Sequence, residues 1–123
     1  MEFCGFMEVR VLRNIDSLRS NREFQHVYRI HDSIADKYLV VYKADGTGKL
    51  GIVCSKKVGN SVVRHHFARL IREAYRLNKE HISKDKDIIV VARELAKGQG
   101  YTEIERSFIT LLKRHSIYDE VKN

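Results

Sequence analysis

Arg64, His65, Arg69, Arg72 and Arg76 recur within one stretch of the chain, SKKVGNSVVRHHFARLIREAYR, from Ser55 to Arg76. On a helix turning about 100° per residue they gather on one side, with Arg64 at its flank. Val63, Phe67, Leu70, Ile71 and Ala74 gather on the other, so the helix rests its apolar face on a core and shows the cationic one to a partner. Glu73 is the one acid that breaks the charged stripe. Planar guanidinium forks suit phosphate oxygens, which they grip in a bidentate way. Lys56 and Lys57 stand just ahead of the helix, whose N-terminus near Asn60 adds free backbone N–H groups and a positive dipole. The chemistry is that of holding RNA or DNA. Arg76, at the far end, reads as a solvated residue in a salt bridge.

Catalytic patterns are missing. His65 and His66 are adjacent and point about 100° apart, whereas a helical metal pair needs a spacing near i,i+4. No GxSxG, P-loop, HExxH or GxGxxG pattern occurs. Gly46-Thr47-Gly48 is too short to cradle a phosphate and reads as a turn. Asp85 and Asp87 flank a strand and form no carboxylate cluster, which argues against a self-sufficient nuclease. The residues describe a binding protein.

Aromatic side chains offer a second kind of contact. Phe24 and Tyr28 are i,i+4 on a first helix, with Val27 in the same stripe, and Tyr38, Val40 and Tyr42 alternate onto one sheet face. Exposed rings on such surfaces stack on unpaired bases. The same residues could equally be core, and the sequence leaves open which sheet face is uncovered.

The elements that carry these residues follow from period and punctuation. The chain has 123 residues, 43% of them hydrophobic, which suits one domain with a real core. Twenty-three Lys and Arg against 16 acids give a net charge of +7, which favours a polyanionic partner. The two cysteines, Cys4 and Cys54, form no CxxC pair, so a reducing cytoplasm is the expected setting and Cys54 a buried hydrophobe. No apolar run is long enough to span a membrane.

Residues 1–17 read as a poorly ordered arm, 18–118 as a single RNA-binding domain and 119–123 as a tail. The capping box Ser20–Glu23 starts a helix over about Asn21–Ile30. Tyr38–Lys43 and Leu50–Ser55 read as strands joined through Asp45–Gly48 into a hairpin. The basic helix follows from about Asn60 to Leu77, then a charged connection. Asp87–Ala92 is a strand covered on both faces, parallel to the one before the helix. A second capping box, Thr102–Glu105, starts a last helix with Ile104, Phe108, Leu111 and Leu112 on one face. The order α-β-β-α-β-α, with room for one more short strand, predicts an α/β (α+β) two-layer sandwich.

The stretch SKKVGNSVVRHHFARLIREAYR resembles the signature of the bacterial ribonuclease P protein family, SKKxGNAVxRNRxKRLIRE. The similarity continues upstream through EFQHVYR and YLVVY and downstream through DIIVVAR and the last helix, about Leu18–Tyr118. The resemblance implies a ribosomal-protein-S5-domain-2-like fold whose strand–helix–strand crossover is left-handed, against the usual rule. It implies the non-catalytic subunit of an endoribonuclease, whose partner RNA uses Mg²⁺, bound mainly by that RNA, to hydrolyse the phosphodiester that releases the 5′ leader of precursor tRNA. The protein would raise affinity for precursor tRNA over mature tRNA and help metal binding at the junction. The partners implied are the ribonuclease P RNA and precursor tRNA, with no obligatory protein partner and no membrane.

Position by position, the resemblance places leader contacts at Phe24, Tyr28, Tyr42, Ser55, Lys56 and Lys57. It places contacts to the catalytic RNA at Arg64, His65, His66, Arg69 and Arg72. Arg-Asn-Arg of the family pattern is Arg64-His65-His66 here, and the lysine before Arg69 is Ala68. Two cationic positions are thus lost, one to a group that is only partly charged near neutrality. The rival reading is a ribosomal-protein-like RNA-binding module without a role in cleavage.

Overall fold

The computed structural model describes residues 7–9, 21–30 and 32–120. Among these the chain forms β1 (Met7–Val9), α1 (Asn21–Ile30), β2 (Ser33–Ala35), β3 (Leu39–Asp45), β4 (Leu50–Ser55), α2 (Ser61–Asn78), β5 (Lys86–Ala92) and α3 (Tyr101–Arg114), with short 3₁₀ turns at Lys79–His81 and Glu94–Ala96. The predicted order is present with β1 and β2 added. Met7–Val9, within the stretch read as an arm, is an edge strand antiparallel to β4; Ser20, the first residue of the first capping box, lies outside the described residues. None of the described helices is long and apolar enough to cross a membrane.

A strand that is apolar on both faces belongs in the middle of a sheet. β5 is that strand: Ile88 through Ala92 are all buried, and the sheet order is β1-β4-β5-β3-β2. β5 pairs in parallel with β4, from Leu50 opposite Ile88 to Val53 opposite Val91, as the strand–helix–strand order implies. It pairs antiparallel with β3, from Leu39 opposite Ala92 to Asp45 opposite Lys86.

The expected β3–β4 hairpin is therefore wrong, because β5 lies between the two strands. Skipping one strand position requires a span of about 10 Å, which residues 46–49 cover easily. The start of β5 holds that link in place. Asp87 accepts hydrogen bonds from the N–H groups of Thr47 (3.1 Å) and Lys49 (2.9 Å), and Gly46 N–H donates to the Asp85 carbonyl. Gly48 adopts φ +85°, and a Cβ there would stand 2.8 Å from the Lys84 carbonyl oxygen, so only glycine lets the link sit so close.

Alternation along the strands divides the core. Leu39, Val41, Ile52, Cys54, Ile88 and Val90 face α2 and α3, meeting Phe67, Ile71, Ala74, Ile104, Phe108 and Leu111. Tyr42, Ala44, Val53, Ile89 and Val91 face the other way and are covered by Val27 of α1. The two-layer reading thus holds for α2 and α3 only, and α1 adds a partial third layer. Tyr38 departs from the predicted alternation. It precedes β3, its N–H bonds the Asp36 carboxylate at 2.8 Å, and its ring packs against the α2–α3 core.

α2 begins where predicted, with the Asn60 side chain accepting from the Val63 N–H. α3 begins two residues before its predicted capping box, with Gly100 as N-cap, because Glu105 is otherwise engaged. Its carboxylate takes hydrogen bonds from the Tyr101 hydroxyl (2.7 Å) and the Asn78 amide (3.2 Å), tying α3 to the end of α2.

Candidate nucleic-acid interface

α2 buries Phe67, Ala68, Ile71, Ala74 and Tyr75. His65, His66 and Arg69 are exposed on its opposite side, and Arg64 and Arg72 are half-buried at its flanks. The predicted cationic stripe is therefore a real surface, His66 included. Among the described residues Arg69 and Arg72 form no ion pair, whereas Arg76 is held by Glu73, as its solvated reading requires. Arg69 and Arg72 are free to meet phosphate oxygens. Ala68 needs a correction: it is 5% exposed and part of the core, so its own position contributes nothing to the charged surface.

The segment after β4 turns sharply, with Val58 N–H donating to the Ser55 carbonyl at 3.1 Å. Val58 is buried, while Lys56 and Lys57 project into solvent and Ser55 is half-buried. A Cβ on Gly59 would come within 2.7 Å of the Val63 side chain, so glycine allows the turn to close onto the first turn of α2. Lys57 and Ser55 line a depression of about 590 Å³ together with Lys37, Arg93, Glu94 and Leu95. This hollow lies at the carboxyl ends of the parallel strands β4 and β5, where open α/β sheets receive ligands. The sequence reading missed Lys37 and Arg93. Arg93 could have been found from its place directly after the DIIVVA strand; Lys37 gives no comparable signal.

The aromatic residues divide differently. The backbone of α1 puts Phe24 one turn ahead of Tyr28, and the Phe24 side chain lies outside the described ones. The Tyr28 ring meets Tyr42 edge to face, with centroids 4.7 Å apart and planes at 73°. Tyr42 is only 1% exposed, beneath α1, so the expectation that it stacks on a base is corrected: Val27 and Tyr28 already occupy its free side. Burial raises the Tyr42 hydroxyl above the usual phenol range; burial, with Tyr42 beside it, does the same to Tyr28. Both stay protonated at any physiological pH.

Among the described residues no group of three or more His, Cys, Asp or Glu side chains is placed to hold a metal ion. The geometry offers charge and shape for a polyanion. A family model for ribonuclease P matches residues 12–116. The chain belongs to the ribonuclease P protein family.

The ribonuclease P protein component of Lachnoclostridium phytofermentans is 47% identical over 105 residues, covering 83% of this chain and 90% of that one. The corresponding protein of Clostridium novyi is 42% identical over 113 residues, 88% of this chain and all of its relative. Among solved structures, the Staphylococcus aureus ribonuclease P protein matches with a TM-score of 0.75 at 37% identity, over 84% of this chain and 97% of that one. The Thermotoga maritima protein matches with a TM-score of 0.74 at 29% identity, over 80% of this chain and 96% of its own. In this ribonuclease P protein, then, α2 carries the family's basic stretch with two imidazoles, His65 and His66, at exposed positions.

Proposed function

We propose that this chain is the protein partner of a catalytic RNA, with which it removes the 5′ leader of precursor tRNA by endonucleolytic hydrolysis. One observation carries the reading. α2 presents Arg69 and Arg72, neither in an ion pair among the described residues, and follows the basic strand end at 55–57, in a chain whose described residues gather no metal-binding cluster. Residues that grip phosphate without a cleaving group suit a subunit whose partner supplies the reaction.

In this reading Arg64, His65, His66, Arg69 and Arg72 neutralise phosphates of the catalytic RNA. The leader runs over Ser55, Lys56 and Lys57 and along α1, touching Phe24 and Tyr28, while Tyr42 braces Tyr28 from below. Mg²⁺ would be held mainly by the RNA, since no group of three or more His, Cys, Asp or Glu side chains among the described residues is placed to hold it, and would supply Lewis-acid chemistry at the phosphodiester. The protein's own share is to offset repulsion between the two RNAs and hold the leader in register. No protein partner is required, and the reaction takes place in the cytoplasm. The β4–α2–β5 crossover is left-handed in the manner of the second domain of ribosomal protein S5, as the family implies.

Single-turnover cleavage of a 5′-labelled precursor tRNA at low Mg²⁺ tests the proposal, using the protein alone, a bacterial ribonuclease P RNA alone, and both. Cleavage at the mature 5′ end that is strong only in the mixture is the expected result. No stimulation of a cognate RNA would instead leave a generic RNA-binding module.

A further inference from the structure

The cationic line on α2 continues past the sequence motif. His65, Arg72 and Lys79 are each seven residues apart, and Lys79 keeps helical backbone angles, so the three lie along one side of the rod. Lys79 stands two turns beyond Arg72, about 10 Å further along the axis. There it lines a cavity of about 270 Å³ between the 46–49 link, the end of α2 and the 82–84 segment. Lys84 lines the same cavity, with the hydroxyl-bearing Thr47 and Ser83 and the Tyr75 ring.

Both lysines are exposed and line one small cavity, so an anion seated there would meet two positive charges. Among the described residues neither lysine forms an ion pair. The carboxylates around the cavity act elsewhere: Asp87 accepts from the N–H groups of Thr47 and Lys49, Asp45 pairs with Lys86, the Asp85 charge also acts on Lys86, and Glu80 is not free. The negative end of α2 is also blunted. The Asn78 side-chain amide donates to the Ala74 carbonyl at 2.8 Å, and the Ile82 N–H donates to that of Lys79 at 3.2 Å. The walls are held in place, since the Tyr75 hydroxyl bonds the Gly48 carbonyl at 3.2 Å and the Ser83 N–H bonds the Ile117 carbonyl at 2.9 Å. The space equals that of about nine waters, ample for a phosphate group with part of its hydration.

We propose that this cavity binds a phosphodiester group of RNA through Lys79 and Lys84, as the far end of the α2 RNA face. The inference rests on the reading of α2 as that face and extends it beyond the family's basic stretch. It predicts an RNA footprint along the whole helix, about 27 Å for its 18 residues.

The test measures the affinity of a ribonuclease P RNA transcript against KCl concentration for three proteins: wild type, the double variant K79Q/K84Q, and R69Q/R72Q. A second arm titrates wild type and K79Q/K84Q with inorganic phosphate, following the amide NMR signals of Gly48 and Ser83. The expected result is a log–log salt slope shallower by about one to two units for K79Q/K84Q, with an unchanged thermal midpoint. Amide shifts with phosphate should appear in wild type and vanish in the double variant. A slope unchanged in K79Q/K84Q but reduced in R69Q/R72Q would overturn the site and leave the α2 reading intact. Phosphate shifts with that same unchanged slope would mean a free-anion pocket, which also overturns it. If the double variant loses its fold, K84Q alone is held to the same comparison, with a change of about one unit. No RNA binding by the wild-type protein would overturn the α2 reading itself, and the cavity's role with it.

Discussion

His65 and His66 are the residues in which this chain differs most usefully from the family pattern. Both are exposed on α2 within one turn of Arg69, which forms no ion pair among the described residues, and the family pattern has a permanent cation where His66 stands. Affinity for ribonuclease P RNA should therefore rise in the variant H66R, which restores the family's arginine, with a log–log salt slope steeper by about one unit. Equal affinities and equal slopes for the wild-type protein and H66R would sink the prediction. Ala68 plays no part in it, being packed in the core.

At the scale of elements, α1 and the 46–49 link each depend on a named buried group. Val27 is fully buried and joins α1 to the Tyr42 face of the sheet. Val27→Ala should cost roughly 1–3 kcal/mol by lost burial and a residual cavity. Calorimetry measures that cost. The same variant should weaken discrimination between precursor and mature tRNA more than it weakens binding to the catalytic RNA, since α2 is on the opposite face. Asp87 replaces the turn that a hairpin would have supplied, accepting two backbone N–H groups. Asp87→Ala removes both bonds, leaving the half-buried Lys49 N–H without its acceptor, and should destabilise by roughly 1–3 kcal/mol in urea unfolding. Hydrogen exchange at Thr47 and Lys49 should quicken selectively; protection equal to wild type would contradict the role given to Asp87.

For the whole molecule, stability is coupled to pH through His115, which is 2% exposed. Its Nε2 lies 2.6 Å from the Val41 carbonyl, so Nε2 carries the proton and Nδ1 is a lone pair 3.8 Å from the Asp32 carboxylate. Lys43 donates to the His115 carbonyl at 2.6 Å. Burial, the largest influence, lowers the imidazole below its ordinary value, and the neighbouring charges of Lys43 and Arg114 act the same way. The Val41 carbonyl and Asp32 oppose them. A depressed histidine binds its proton more readily when unfolded, so stability is complete above about pH 6.5 and is lost as pH falls toward the folded-state value. Thermal midpoints recorded between pH 7.5 and 5 should decline, and His115→Gln should remove part of the slope.

What could be read from the chain alone was whatever depends on local spacing. The cap at Asn60, the apolar and cationic sides of α2 and the doubly covered strand at 87–92 all follow from period and punctuation, and the structure reproduces them. The absence of catalytic spacing and the family signature are also local in sequence. Position in the sheet is not. β5 separates β3 from β4 because a strand arriving some thirty residues later is apolar on both faces, which suits a place in the middle of the sheet. Tyr42 and Tyr38 alternate identically on paper; only α1 lying across one face, and the Asp36 carboxylate turning the chain before β3, decide that one is covered and the other drawn to the opposite core. The hollow containing Lys37 and Arg93 and the cavity of Lys79 and Lys84 are likewise tertiary, because each brings side chains from separate elements to one place that no spacing encodes.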